Sequence, residues 1–191
     1  MKSLILIGSP RKHGNSGIVA NELQEKLSAH KNNIDCEKIW VADLDIRPCT
    51  ACGYCDKVGK CIIKDEMQPL YTKVEEADII TFISPIYFGS ITAQLKTFID
   101  RFQPFYASKF LLNNPKIKKG SNKNVSLITI SGMDRDYFFR NAQEIINIFC
   151  MNLNVDLGPT LHLKNIDYAS EITEKPDQLN KVSELAQLLI Q

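Results

Sequence analysis

Long apolar runs, a signal-peptide core and a strong net charge are all missing from this chain. None of its 191 residues lies in an apolar run as long as the roughly 18–20 residues of a membrane-spanning helix. The first run, Leu4–Ile7, stops at Gly8 and is too short for the core of a signal peptide. The formal net charge is +1, so no overall field attracts nucleic acid or an anionic membrane. We therefore expect a cytoplasmic protein with no membrane and no nucleic acid as partner.

Two familiar nucleotide-binding loops are also absent after the first apolar run. The Gly-x-Gly-x-x-Gly of dinucleotide sites does not occur there, and neither does the Gly-x-x-x-x-Gly-Lys-Ser/Thr of P-loop proteins. Disulfides are not expected, because the six cysteines of a cytoplasmic chain are more often thiols or metal ligands.

Apolar runs alternate with segments of helical spacing along the whole chain. Strands are predicted at 2–7, 34–41, 79–84, 125–131 and 155–163, and helices at 17–31, 65–77, 93–102, 137–153 and 175–191. Residues 42–63 are expected to be mostly loop, and 103–124 an extended connection. Continuous apolar strands between helices are typical of a parallel sheet covered on both faces. We predict one α/β domain over residues 1–191, a three-layer, doubly wound, parallel five-stranded sheet in the order 2-1-3-4-5.

The loop after the first strand, residues 8–16, has the composition of a phosphate site. In an open parallel sheet, ligands bind beyond the carboxyl ends of the strands. Ser9 and Ser16 can donate hydroxyl hydrogen bonds, and Arg11 can offer a charge-assisted fork. The amides near Asn15 open a helix whose dipole favours an anion. The alternative is an ordinary strand-to-helix turn capped by serine or asparagine.

The loop after the third strand, residues 84–90, would lie at the same edge of the sheet. Tyr87 and Phe88 can supply the aromatic contacts that a flat heterocycle needs, while Gly89 and Ser90 leave backbone amides accessible. The alternative is that both aromatic residues belong to the core and cover the sheet edge.

These two loops resemble those of the NADPH-dependent FMN reductase superfamily of flavodoxin-like proteins. The resemblance covers residues 1–103 and rests on the segments 8–11, 14–16, 84–90, 95–96 and 98–101. It implies bound FMN, with its phosphate at Ser9, Arg11, Asn15 and Ser16. It also implies that Pro85, Ile86, Tyr87, Phe88 and Gly89 lie against the isoalloxazine ring. Relatives often carry a glycine-rich segment after strand four, whereas residues 131–135 hold one glycine, so the third wall of the pocket is left open.

Four cysteines form the compact pattern Cys-x2-Cys-x2-Cys-x5-Cys: Cys49, Cys52, Cys55 and Cys61. Bacterial ferredoxins space three cysteines in the same way, and Gly53 and Gly59 let the loop bend around a bulky centre. Within the superfamily the motif resembles that of the iron–sulfur flavoproteins, which implies a [4Fe-4S] cluster. Zinc and unoccupied or redox-active thiols stay open as alternatives.

The combined hypothesis is an FMN-dependent oxidoreductase that passes electrons between FMN and a [4Fe-4S] cluster, with NAD(P)H or ferredoxin as donor. No side chain need act as an acid or base. The resemblance also implies a homodimer or homotetramer. The alternatives are a plain NAD(P)H-dependent FMN or quinone reductase without a cluster, a non-enzymatic flavodoxin-like carrier and a zinc-stabilised interaction module. Asp100 and Arg101 are expected to form a pair on a helix surface or interface.

Overall fold

A computed structural model describes residues 1–30 and 34–190 of the chain. Its centre is a sheet of five parallel strands in the order β2-β1-β3-β4-β5, as predicted. The strands are β1 (Lys2–Ile7), β2 (Asp35–Trp40), β3 (Ile79–Pro85), β4 (Asn124–Ile130) and β5 (Leu157–Leu163). The change of direction lies between β1 and β3, so the loops after these two strands meet at one edge.

Helices cover both faces of the sheet. All five predicted helices are present, and two short ones, the second and the fifth along the chain, were not predicted. The helices are α1 (Asn15–Ser28), α2 (Tyr54–Val58), α3 (Met67–Glu76), α4 (Ala93–Asp100), α5 (Gln103–Tyr106), α6 (Asp136–Leu153) and α7 (Pro176–Leu189). The predicted ends of the first and last helices, Lys31 and Gln191, lie outside the described residues. Among the residues that the structure describes, no helix is both long enough and apolar enough to cross a membrane.

The central strands read as continuous apolar runs because both of their faces are buried. Successive side chains of a strand point to opposite faces. Leu4 and Leu6 of β1 join a core with Phe82 and residues of α3, α4 and α6, whereas Ile5 and Ile7 join a second core with α1 and α7. The two cores pack the sheet between its helices and fix the position of the loops at its carboxyl edge.

The segment 103–124 is not the extended connection that we predicted from its proline, asparagine and lysine content. It begins with α5 and continues into a π-helical turn, Ala107–Leu111. Pro104 stands in the first turn of α5, where a missing N–H costs nothing. Phe105 is buried and packs against Phe102, so tertiary contacts select a helix here.

Candidate cofactor site and cysteine loop

The two predicted ligand loops meet at the carboxyl edge of the sheet. They border a cavity of about 200 Å³. Its walls include Ser9, Arg11, Asn15, Ser16, Pro85, Ile86 and Tyr87. Phe88 and Gly89 border an adjoining cavity of about 380 Å³. The structure therefore brings together the residues that the sequence singled out, and their contact with FMN stays a prediction.

The loop before α1 has the features of an anion site. Ser9 is buried, and its hydroxyl oxygen accepts a hydrogen bond from the N–H of Arg11 at 3.1 Å. Gly14 precedes α1, so the N–H groups of Asn15 and Ser16 are the first of the helix and have no partner within it. The positive end of the helix dipole and these amides favour a phosphate beside the exposed Arg11.

The side chain of Asn15 is engaged elsewhere, by the segment that follows β5. Its Nδ2 donates to the carbonyl oxygen of Tyr168 at 2.7 Å, and its Oδ1 accepts from the N–H of Ile172 at 3.1 Å. This segment borders the cavity with Ile166, Asp167, Tyr168 and Ala169. The sequence reasoning missed these residues, although their place directly after the fifth predicted strand puts them at the ligand edge.

The turn 87–90 is tight and strained. The N–H and C=O of Tyr87 exchange hydrogen bonds with those of Ser90, at 2.9 and 3.1 Å. Phe88 has a φ of 50° and its side chain is fully exposed, while Gly89 has a φ of 75°. A non-glycine residue with left-handed backbone is costly, and such strain is concentrated at functional sites. The turn holds the Phe88 ring at the rim of the cavity rather than in the core.

The third wall of the pocket is formed by Ser131 and Gly132, which follow β4. The Ser131 hydroxyl lies 2.9 Å from His162 Nε2 and donates to the carbonyl oxygen of Met133 at 2.6 Å. The His162 ring stacks on Phe139, with 5.1 Å between ring centroids. Burial lowers the pKa of His162, so the neutral ring positions this wall at neutral pH. The sequence carried no signal for His162.

The four predicted cysteine ligands border one cavity of about 470 Å³. Cys49 and Cys52 are exposed, whereas Cys55 and Cys61 are half-buried. Burial, with help from Asp56, raises the pKa of Cys55 to about 11. Gly53 and Gly59 both adopt left-handed backbone, as the predicted bending of the loop requires. Within residues 1–30 and 34–190, no three cysteine, histidine or carboxylate side chains converge closely enough to hold a single metal ion.

Arg101 is not a surface residue, contrary to our expectation from its place at the end of a helix. Its side chain is fully buried and pairs with the equally buried Asp65 through an Nη1–Oδ2 contact of 2.6 Å. Burial opposes ionisation of Asp65, but hydrogen bonds from Arg101 and from backbone N–H groups hold its pKa below the usual range. Asp100, by contrast, pairs with Lys96 at the surface, at 2.6 Å.

The residues around each cavity fit the group that the resemblance implies. Four thiols and a buried guanidinium surround the cysteine cavity, and Arg101 Nε is buried without a hydrogen-bond partner among the described residues. A cationic donor beside thiolates suits an anionic metal–sulfur cluster, which takes one thiolate per iron and so does not need thiols in mutual contact. The first cavity combines anion-binding amides with apolar and aromatic walls, which suits a flavin phosphate and ring.

Comparison with known proteins identifies the family. The family model described as NADPH-dependent FMN reductase matches residues 1–161. The chain belongs to this family. The predicted family is thereby confirmed, since the match includes both ligand loops, the cysteine loop and the third wall of the pocket.

Several curated relatives of the chain are named iron-sulfur flavoprotein. One from Archaeoglobus fulgidus is 38% identical over 105 residues, which are 55% of this chain and 47% of that protein. One from Methanocaldococcus jannaschii is 33% identical over 165 residues, which are 85% of this chain and 80% of that protein. The chain thus spans about half the length of the first relative and most of the second.

Solved structures of the same fold align over the whole chain. An NAD(P)H:quinone oxidoreductase from Methanothermobacter marburgensis has a TM-score of 0.72 at 13% identity, covering 100% of this chain and 98% of that one. An FMN-dependent NADH-azoreductase from Bacillus anthracis, in complex with FMN, has a TM-score of 0.68 at 14% identity and covers 100% of both chains. At these identities the likeness establishes the flavodoxin-like fold alone, which confirms the predicted architecture.

Proposed function

We propose that the chain is an FMN-dependent oxidoreductase whose loop cysteines hold a [4Fe-4S] cluster. The observation that carries the proposal is the presence of two sites on one domain. One is a cavity between an anion-binding helix start and an aromatic turn, and the other is a cavity bordered by four thiols and a buried cation. The family and the names of the relatives support the same pairing of flavin and cluster.

In this proposal the FMN phosphate is held by the hydroxyls of Ser9 and Ser16, the Arg11 guanidinium and the first amides of α1. The ring lies against the segment 85–89. Bound FMN supplies a centre that accepts a hydride from nicotinamide and exchanges single electrons. The residues of this chain bind and orient the flavin, and no side chain is assigned as an acid or base.

The cluster would be held by Cys49, Cys52, Cys55 and Cys61, and it would supply a one-electron centre. We propose NAD(P)H as the donor, which the family name supports, with ferredoxin as the alternative. We also propose that the working assembly is a homodimer or homotetramer.

Purification without oxygen, followed by analysis of iron, sulfide, zinc and flavin, tests the proposal. We expect one FMN and about four iron and four sulfide per chain, as a [4Fe-4S] centre requires. Flavin without iron would support a plain NAD(P)H-dependent reductase, and zinc without iron would overturn the cluster assignment. A chain without flavin would overturn the proposal as a whole.

Two matched cysteine variants sharpen this experiment. Cys52→Ser removes one proposed ligand and should abolish iron binding while FMN stays bound. Cys36→Ser alters a half-buried thiol of β2, outside the cysteine loop, and should leave the iron content and the FMN content unchanged. Anaerobic addition of NADPH or reduced ferredoxin to the wild type then identifies the donor by which one bleaches the flavin absorbance.

A further inference from the structure

A single buried side chain, Arg101, contacts both ends of the cysteine loop. Its Nη1 donates to the carbonyl oxygen of Arg47 at 2.7 Å, two residues before Cys49. Its Nη2 lies 3.5 Å from the sulfur of Cys61 and 3.5 Å from the carbonyl oxygen of Ile63. The guanidinium therefore bridges the segment just before the first cysteine and the last cysteine of the motif.

Asp65 completes this arrangement from the other side. Its carboxylate pairs with both Nη atoms of Arg101, at 2.6 and 3.1 Å. It also accepts hydrogen bonds from the N–H of Arg47 at 3.0 Å and the N–H of Met67 at 3.1 Å. The two ends of the loop and the start of α3 are thus attached to one buried ion pair, which is anchored further by the Tyr71 hydroxyl on the Arg101 carbonyl oxygen at 2.8 Å.

We propose that Arg101 is the positioning residue of the cysteine site: it holds the two ends of the 47–63 loop together and donates a hydrogen bond to the Cys61 sulfur. The thiols are thereby held around their cavity before any cluster binds. This inference rests on the proposed function for the identity of the ligand, but its effect on the loop itself does not. A planar fork with five donors can make all of these contacts, and a lysine cannot.

A hydrogen bond to a ligating sulfur also has an electronic consequence. Hydrogen bonds to sulfur and nearby charge set the reduction potential of iron–sulfur centres. A cationic donor stabilises added negative charge, so the bond from Arg101 to Cys61 should favour the reduced state. A residue that only filled space at this position would leave the potential unchanged.

The test compares two variants with one control in the purified protein. Arg101→Lys keeps the positive charge but loses the planar guanidinium whose two Nη atoms make the hydrogen bonds. Because removing one partner of a buried pair can prevent folding, the double variant Arg101→Met with Asp65→Leu removes both charges together. Lys96→Gln is the control, since it breaks a surface ion pair with Asp100 on the same helix and Lys96 does not border the cysteine cavity.

Hydrogen–deuterium exchange and redox titration are the readouts. We expect exchange of the 47–63 amides to rise about tenfold or more in both variants, as the loss of a charged hydrogen bond predicts, and to stay unchanged in Lys96→Gln. We also expect a lower iron content, and a lower reduction potential in whatever cluster the double variant retains. Unchanged exchange in both variants would overturn the inference. A wild type without iron would overturn the cluster assignment, while faster exchange in the variants would still support the positioning of the loop.

Discussion

The side chain of Asn15 donates a hydrogen bond to the carbonyl oxygen of Tyr168, with 2.7 Å between Nδ2 and that oxygen. The resemblance places Asn15 at the FMN phosphate, and in the structure its side chain also attaches the segment after β5 to the start of α1. Asn15 therefore shapes the pocket wall, and its backbone N–H and the second hydrogen of its Nδ2 are left to face an anion.

Replacement of Asn15 by alanine separates these two roles. The change removes two hydrogen bonds, each worth about 0.5–1.5 kcal/mol, so we expect FMN to bind roughly five- to 150-fold more weakly, with the same loss for riboflavin. Fluorescence titration with both flavins measures the effect. A loss confined to FMN would indicate that the amide contacts the phosphate instead.

Arg11 should show the opposite selectivity. Arg11→Gln removes an exposed cation at the phosphate loop, and a charge-assisted hydrogen bond is worth about 1.5–3 kcal/mol. We expect FMN affinity to fall by about tenfold or more while riboflavin affinity and thermal stability stay the same. Lys12→Gln is the control, because Lys12 is paired with Asp43 at 2.9 Å. Equal losses in the two variants would argue for a general charge effect rather than a specific contact.

The sequence was sufficient to predict the sheet order and the two ligand loops. Both follow from local patterns: continuous apolar runs between helices, and small polar or aromatic residues directly after β1 and β3. Parallel topology then brings those loops together, so their meeting needed no long-range information.

What the sequence did not reveal depends on contacts between distant residues. Arg101 at the end of α4 has the pattern of a surface residue, and its burial depends on Asp65, which lies 36 positions earlier. His162 is placed against Ser131 by the pairing of β4 with β5. The proline, asparagine and lysine content of residues 103–124 predicted an extended connection, although Pro104 stands where a helix begins.

Gly89 and Gly120 form a matched pair for testing the aromatic turn. Both have left-handed backbone, with φ of 75° and 81°. A Cβ at Gly89 would lie 2.8 Å from Phe138, whereas one at Gly120 would meet nothing within 4 Å. We expect Gly120→Ala to cost about 1 kcal/mol of backbone strain and Gly89→Ala at least about 2 kcal/mol, because overpacking adds to that strain.

Urea unfolding of the FMN-free protein measures both costs, and flavin titration measures the consequence for binding. Gly89→Ala should weaken FMN and riboflavin alike, since the turn that holds Phe88 is displaced. Gly120→Ala should leave both affinities unchanged. Equal stabilities of the two variants would show that Phe138 moves aside and that the turn adapts.

Glu171, in the segment after β5, should make the stability of the folded protein depend on pH. Its carboxylate pairs with Lys175 at 2.7 Å and accepts from the N–H groups of Asp167 at 2.6 Å and Tyr168 at 3.0 Å. These contacts, led by Lys175, lower its pKa from 4.5 to about 2. Because the pKa in the folded state is lowered, the stabilisation is complete above the unfolded value and is lost as the pH falls toward about 2.

Thermal unfolding of the wild type and Glu171→Gln across this range tests that dependence. We expect the variant to melt at a lower temperature by a constant amount above about pH 5. The difference should shrink between the unfolded pKa of 4.5 and the folded pKa of about 2. Glu174→Gln, a change at an exposed neighbour, should not show this pH-dependent difference in melting temperature. A difference that persisted undiminished at pH 3 would mean that the ionised carboxylate does not hold the Asp167–Tyr168 wall of the cavity.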